Sequence, residues 1–216
     1  MGVAIHFDFL AKTHSHKKAR RIVERLRQRT LDLPFKEVSE LMEISGDACD
    51  PRSYQPGDDL RSLVEGAERL VVADGESRVV PPEKIIAYGS WPGNGCGVCI
   101  IGLATYPATI PWGGRTIRTG IRGWCWNAFC ETHYASEEEN GGKEHFIRCH
   151  VAIIKLLDHA AELGILQGVF DLGGYWESRD VTRLVESIGA WDRKIEKMTD
   201  HLRKLIEEDD SGDLLS

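Results

Sequence analysis

The stretch VAIHFDFLAKTHSHKKARRIVERL (residues 3–26) decides the fold class, because its hydrophobic period changes halfway along. Over residues 3–10 the side chains alternate. Val3, Ile5, Phe7 and Phe9 take one face, and Ala4, His6, Asp8 and Leu10 the other. Successive Cβ atoms of a strand point to opposite faces, so this pattern is a strand with one face buried. From Ser15 the repeat lengthens to that of a helix. Ala19, Ile22, Val23 and Leu26 share one side, and Ser15 stands where a side-chain cap is needed. Pro34 ends the connection and residues 35–42 read as a second strand, which makes the opening β-α-β.

Further along, residues 45–67 hold the breakers Gly46, Pro51, Pro56 and Gly57 and read as irregular. RLVVADGESRVV (69–80) places Asp74-Gly75 between two β-branched runs, the pattern of a tight hairpin. KIIAYGSW (84–91) reads as a short strand and VCIIGLAT (98–105) as a buried central one. PWGGRTIRTG reads as a loop. In WCWNAFC (124–130) the alternation puts Trp124, Trp126, Ala128 and Cys130 on one face and Cys125, Asn127 and Phe129 on the other. The strongest helix runs from Lys143 to Leu163, with Phe146, His150, Ile153, Leu157 and Ala161 as its stripe and Gly164 as its stop. A strand at ILQGVFDL follows, then a helix from Val181 to Ile188 stopped at Gly189, then a last helix whose seam is Trp191, Ile195, Met198, Leu202 and Leu205.

This order predicts an α+β fold: a ferredoxin-like α/β plait with a β-α-β-β-α-β core, an inserted β-hairpin region and a C-terminal helical extension. Residues 1–208 form a single α+β domain with the insertion at about 45–95, and the acidic end 209–216 frays. A plait packs its helices on one sheet face. With Ile5, Phe7 and Phe9 toward the helices, His6 and Asp8 point to the opposite face.

The chain has 216 residues, 42% hydrophobic and 28% charged, an ordinary globular composition with no apolar run long enough for a bilayer. The N-terminal residues lack the charge order of a signal peptide, and position 6 lacks the Ser or Thr of a myristoylation signal. The expectation is a cytoplasmic protein without a membrane. The net charge of −7 argues against a generally nucleic-acid-binding surface. Yet residues 12–29 carry eight basic side chains against one acid, Glu24. Such a face is usually solvated; phosphate or nucleic-acid binding by this first helix is an alternative.

Two Cys/His constellations stand out. Cys96-x-x-Cys99 could supply two thiolates to a metal, but a structural zinc site needs four ligands and no second such pair exists. In EHFIRCH, His145 and Cys149 are four apart on one helix face, while His150 falls on the apolar stripe. With Cys130 and His133 from the preceding segment, a mixed site of Cys130, His133, His145 and Cys149 is a candidate for zinc; no cofactor is otherwise expected. A Cys–His nucleophile pair of Cys130 with His145 or His150 is open as well. The third constellation is GVFDLGGYWESRDV (168–181). Its glycines allow unusual backbone, Asp180 suits an N-cap, and Tyr175, Trp176 and Glu177 sit beside Asp171 as aromatic walls with carboxylates. A strand-to-helix junction explains these residues first, with any site beside it. The ligand-binding candidates are His6, Asp8, Trp126, His145, Asp171, Tyr175, Trp176 and Glu177.

The segments HFIRCHVAIIKLLDHA and GVFDLGGYWESRDVTRLVESIGAWD resemble the C-terminal half of a family of uncharacterised bacterial proteins, in which a histidine-containing helix precedes a D-x-G-x-Y/F-W segment and a C-terminal helix. WCWNAFCETHYAS and IHFDFLAKTHS are similar to other parts of the same pattern, over about two thirds of the chain. The family supplies no reaction. An acidic residue follows the aspartate in that pattern; here Leu172 follows Asp171, which weakens any mechanism needing adjacent carboxylates. The expected function is a non-enzymatic interaction or ligand-binding module of a regulatory or toxin-neutralising kind, taking a protein partner or small ligand, with a homodimer open. A zinc- or Cys/His-dependent hydrolase-like enzyme is the alternative.

Overall fold

The computed structural model describes residues 2–190 and 193. The alternating stretch is strand β1 (Ala4–Ala11) and the amphipathic one is helix α1 (His16–Leu31). The Ser15 hydroxyl accepts the Lys18 amide, as a capping residue should. Ala19, Val23 and Leu26 are fully buried, and sinking a Val or Leu side chain is worth roughly 1.5–3 kcal/mol. The expected second strand is broken into β2 (Glu37–Val38) and β3 (Met42–Ser45). Two 3-10 turns then lead to a helix that the breakers concealed, α2 (Asp59–Ala67), capped by Asp58. The hairpin is β4 (Arg69–Ala73) and β5 (Glu76–Val80), with Asp74 and Gly75 at φ 53° and 78°, the backbone that a two-residue turn requires.

The long strands are β6 (Lys84–Trp91), β7 (Cys99–Thr105) and β10 (Trp124–Glu131). Between the last two lies a hairpin where a loop is expected, β8 (Thr109–Trp112) with β9 (Arg115–Arg118), turned by Gly113 and Gly114. Helix α3 (Gly142–Glu162) and strand β11 (Leu166–Asp171) follow, then one helical turn, α4 (Tyr175–Ser178). Residues 181–190 are helical, and the Asp180 carboxylate accepts the Thr182 amide. Gly189 does not stop this helix, which runs through Ala190. The predicted seam of Trp191, Ile195, Met198, Leu202 and Leu205, and the tail 209–216, lie outside the described residues.

The fold is mixed α+β around a seven-stranded sheet ordered β11-β1-β10-β7-β6-β2, with β3 also on β6 and every pairing antiparallel. Where β-α-β-β-α-β has two strands between its helices, this chain lays down the broken β2/β3, then β6, β7 and β10. Residues 84–91, counted by sequence with the insertion, are thus a strand of the main sheet. Helices α1 and α3 pack on one face. The Tyr88 and Thr30 hydroxyls meet at 2.7 Å beneath α1, and His150 of α3 reaches Asp171 on β11.

Cover on the second face is uneven. Ile85, Ala87 and Ala104 are buried there in one cluster with Leu63, Val64 and Ala67 of α2 and Val71 and Val80 of the hairpin. The Tyr106 hydroxyl donates to the Ala67 carbonyl at 2.5 Å and fastens α2 in place. Across β10, β1 and β11 the same face stays open.

Candidate functional site

The open half-sheet is built by register. Opposite His6 stand Phe129 of β10 and Phe170 of β11; opposite Asp8 stand Asn127 and Gly168. Side chains of directly paired residues share a face, so they form rows across the strands. The His6 ring stacks on Phe129 at 5.4 Å and lies 6.2 Å from Phe170. Phe129 is 54% exposed, Phe170 63% and Val98, just before β7, 62%. Leu172 adds to the open end. Large aromatics at this exposure, side by side, form an apolar patch of the kind that soluble proteins keep for contacts. In the next row the Asp8 carboxylate accepts the Asn127 amide at 2.6 Å.

Beside the patch, β10 and β7 separate. One bridge joins them, Cys125 with Ala104. Beyond it the Trp126 indole N–H donates to the Ile100 carbonyl at 3.0 Å, and the Cys130 thiol to the Gly97 carbonyl at 3.3 Å. Side chains thus satisfy carbonyls that a regular ladder would occupy. The result is a cleft of about 450 Å³ between β10 and α2, lined by Leu63, Val98, Ile100, Trp126, Phe129 and Glu131.

The Asp171 junction is closed. Its carboxylate is wholly buried and accepts the amides of Gly173 at 2.7 Å and Trp176 at 2.8 Å. His150 Nε2 lies 3.1 Å away, without the alignment of a straight hydrogen bond, and Nδ1 meets the Thr132 hydroxyl at 3.0 Å. Burial pushes the Asp171 carboxyl up, but the contacts with His150 and the two amides outweigh it and hold it below the usual carboxylate range. Thr132, His150 and Asp171 have the composition of a hydrolytic triad, yet all three are buried in packed interior. Their geometry is that of a strut between α3 and β11. Trp176 is half-buried, with the Arg179 guanidinium 4.5 Å over its ring, and Arg179 grips Asp158 with both nitrogens. Tyr175 is half-buried against the core and Glu177 is exposed.

Four cysteines gather at the opposite end of β10. The Cys149 thiol lies 3.5 Å from the Pro92 carbonyl, at the start of the connection that carries Cys96, and the Cys130 thiol donates to the Gly97 carbonyl, two residues before Cys99. Cys149 also lies 3.5 Å from His145 Nε2. The influence of neighbouring Cys96 pulls the Cys149 thiol down, burial opposes it, and the Arg148 charge adds to the lowering; the net is below the ordinary thiol value. Cys96 and Cys130 are raised. Next to this nest is a cavity of about 720 Å³ lined by Lys36, Gly93, Asn94, Glu144, His145 and Arg148.

His6, His145 and Glu177 therefore occupy three separate places. Cys130 has Cys99 beside it, and it is Cys149 that stands against His145. His133 packs on Tyr134 and under Gly2. No group of three or more His, Cys, Asp or Glu among the described residues is arranged to hold a metal. On α1, Arg20 binds Glu43 and Glu24, and Arg27 binds Glu40, so part of the basic face is neutralised. No helix among the described residues is long and apolar enough to cross a membrane. Phe129, Phe170 and Val98 are the surface residues that the sequence reading left out; the alternation that exposed His6 carried the signal for the two phenylalanines. No family model, curated protein or solved structure matches this chain.

Proposed function

We propose that this chain is a protein-binding module whose docking surface is the open half of the sheet. The observation that carries the reading is the row Phe170–His6–Phe129, exposed on rigid strands and running into the apolar cleft beside α2. Aromatic groups on a stiff scaffold lose little conformational freedom on binding, and a cleft that takes one partner side chain is where binding energy concentrates. Asp8 and Glu131 stand at its margin, in a chain of net charge −7. The complementary partner is a protein with an apolar anchor residue flanked by Lys or Arg. The same observations favour the regulatory or toxin-neutralising kind of module over a hydrolase, since the triad-like set Thr132, His150 and Asp171 is sealed. We further read the sheet as a plait widened by two strands, because its alternating antiparallel order and two crossover helices are kept.

The test compares wild type with Phe129→Asp and Phe170→Asp in capture from the native host, followed by affinity measurement with the purified partner. Each variant should fold and weaken binding by about 30-fold or more, the loss of one central anchor. Leu70→Asp, on the exposed face of the β4–β5 hairpin, should bind as wild type. Equal binding by all four proteins overturns the reading, and so does a homodimer that Phe129→Asp dissolves with no other partner held.

A further inference from the structure

We infer that the large cavity beside α3 binds the phosphate group of a small molecule, with Lys36 and Arg148 as the charges that hold it. Its volume, about 720 Å³, is that of a small-molecule site, for which roughly 300–1,000 Å³ is usual. Three separate pieces of chain build it. The residue just before β2 brings Lys36, the β6–β7 connection brings Asn94, and the start of α3 brings His145 and Arg148.

One wall is a fixed chain of polar contacts. The Lys36 ammonium donates to the Asn94 side-chain carbonyl at 2.6 Å and lies over the Trp91 ring, 4.0 Å from its centre. The Asn94 main-chain carbonyl meets His145 Nε2 at 3.0 Å, and Arg148 meets His145 Nδ1 at 2.7 Å. A guanidinium has no acceptor, so Arg148 donates to Nδ1, and the ring donates to Asn94 through Nε2–H. The packing around the ring is close. A Cβ on Gly93 would stand 2.5 Å from His145 Cε1, and one on Gly141 would stand 2.9 Å from His145 Cβ.

The two cations of this wall are not matched inside the protein. The chain has 34 acidic side chains against 27 basic ones, yet among the described residues neither Lys36 nor Arg148 is in an ion pair. The partners they do have, an amide oxygen and an imidazole nitrogen, are neutral. Glu144 is the acid in the lining. It stands four residues before Arg148, the spacing at which ion pairs form along a helix, but Arg148 turns to His145 instead. An ammonium has three donors and a guanidinium five, so each cation keeps donors beyond those contacts. Phosphate supplies what they lack, a negative charge spread over several acceptor oxygens. The guanidinium fork fits two of those oxygens and the ammonium fits another. The start of α3 has no side-chain cap, and its Gly141 also lines the cavity, which adds a field of the same sign. The cavity is larger than a phosphate group, which leaves room for the small molecule that carries it.

The lining shares no residue with the cleft beside the open sheet face, so this reading and the docking surface can fail independently.

The test titrates the full-length protein with inorganic phosphate and with glycerol phosphate by calorimetry, and follows the His145 ring nitrogens by NMR. Both probes should bind wild type at one saturable site, compete with each other and shift the His145 signals with the same constants. Lys36→Gln and Arg148→Gln keep a donor for Asn94 and for His145 but lose the charge. Each should weaken phosphate roughly tenfold or more, the loss of one charge-assisted contact. Glu144→Gln should tighten it. Lys18→Gln makes the same charge change on the exposed side of α1 and should bind as wild type, as should Phe129→Asp. No saturable binding of either probe, an equal loss in Lys18→Gln, or full binding by the double variant of Lys36→Gln with Arg148→Gln would overturn the inference. The wild-type titration stands whether or not a variant folds.

Discussion

Asp171→Asn should be among the most damaging single changes in this chain, although it alters no volume. The carboxylate has no exposed surface, accepts two backbone amides at 2.7 and 2.8 Å and faces His150 at 3.1 Å. Asparagine keeps one acceptor and turns an amide donor toward the other N–H. A hydrogen bond to a charged acceptor is worth roughly 1.5–3 kcal/mol, and removing one member of a buried pair about 3–5 kcal/mol. We expect a loss of about 3–5 kcal/mol in urea unfolding at pH 7, a large part of the roughly 5–15 kcal/mol that holds a domain. In a chain of this size that is roughly 6–20 °C in Tm. Asp158→Asn is the control: Asp158 makes an exposed two-pronged contact with Arg179 and should cost about 1 kcal/mol or less. The pH dependence has a definite sign. The folded carboxyl titrates below its unfolded value of about 4, so its contribution is complete above that value and fades as pH falls through the folded one. The gap between wild type and Asp171→Asn should be flat from neutral pH down to about 5 and close only below about 4. A variant within 1 kcal/mol of wild type at pH 7, or a gap that closes between pH 8 and 6, would refute the buried strut.

Two further results follow from the same geometry. Trp176→Ala should cost about 2–3 kcal/mol, less than the 3–5 kcal/mol of a fully buried aromatic, because the ring is half-exposed under Arg179; exposed Glu177→Gln should stay within about 0.5 kcal/mol, and the reverse ranking in thermal unfolding would assign the turn to ligand contact. With Arg20 and Arg27 committed to Glu43 and Glu40, the α1 face should bind mixed duplex DNA no more tightly than non-specific affinity, about 10⁻⁴–10⁻⁶ M at physiological salt; a nanomolar constant in a filter or anisotropy assay would contradict this.

The parts of the fold that were legible in the sequence are those where one hydrophobic period runs uninterrupted. β1, α1, β10 and α3 declare themselves by alternation or by a helical stripe, and Ser15 and Asp180 cap where their side chains predict. Helix α2 carried a readable signal, Asp58 ahead of Leu60, Leu63, Val64 and Ala67 at helical spacing, but Pro56-Gly57 and a glycine in its last turn masked it. The β8–β9 hairpin was hidden because its strands have four residues each and one contains Pro111. His150 was legible as a satisfied core residue on an apolar stripe, whereas its partner was not. The contact with Asp171 arises only when the chain reverses after α3, and no local spacing encodes that return. The thiol nest is hidden for the same reason. Its members lie on the β6–β7 connection, β7, β10 and α3, and only the three-dimensional return of each element makes them neighbours. The alternation of β1 identified His6 and Asp8 as a second face, but which half of that face stays open depends on where α2 and the hairpin settle.

The end of β11 shows how stability and surface are assigned within three residues. Strand geometry sends Phe170 and Leu172 to one face and Asp171 to the other. The inward residue spends its acceptors on Gly173, Trp176 and His150, and so fixes the backbone at the point where the outward residues emerge. Asp171 is out of a ligand's reach, because the carboxylate is sealed from solvent. A ligand role at the junction would need a second carboxylate, and residue 172 is where one would have to stand. Leucine there extends the apolar row of Phe170, His6 and Phe129 instead. A charge at 172 would interrupt that row, and a hydrophobic residue at 171 would leave the Gly173 and Trp176 amides unsatisfied and take the carboxylate from beside His150. The two side chains are not interchangeable, and their order along the strand fits a surface that holds another protein better than a pocket that converts a substrate.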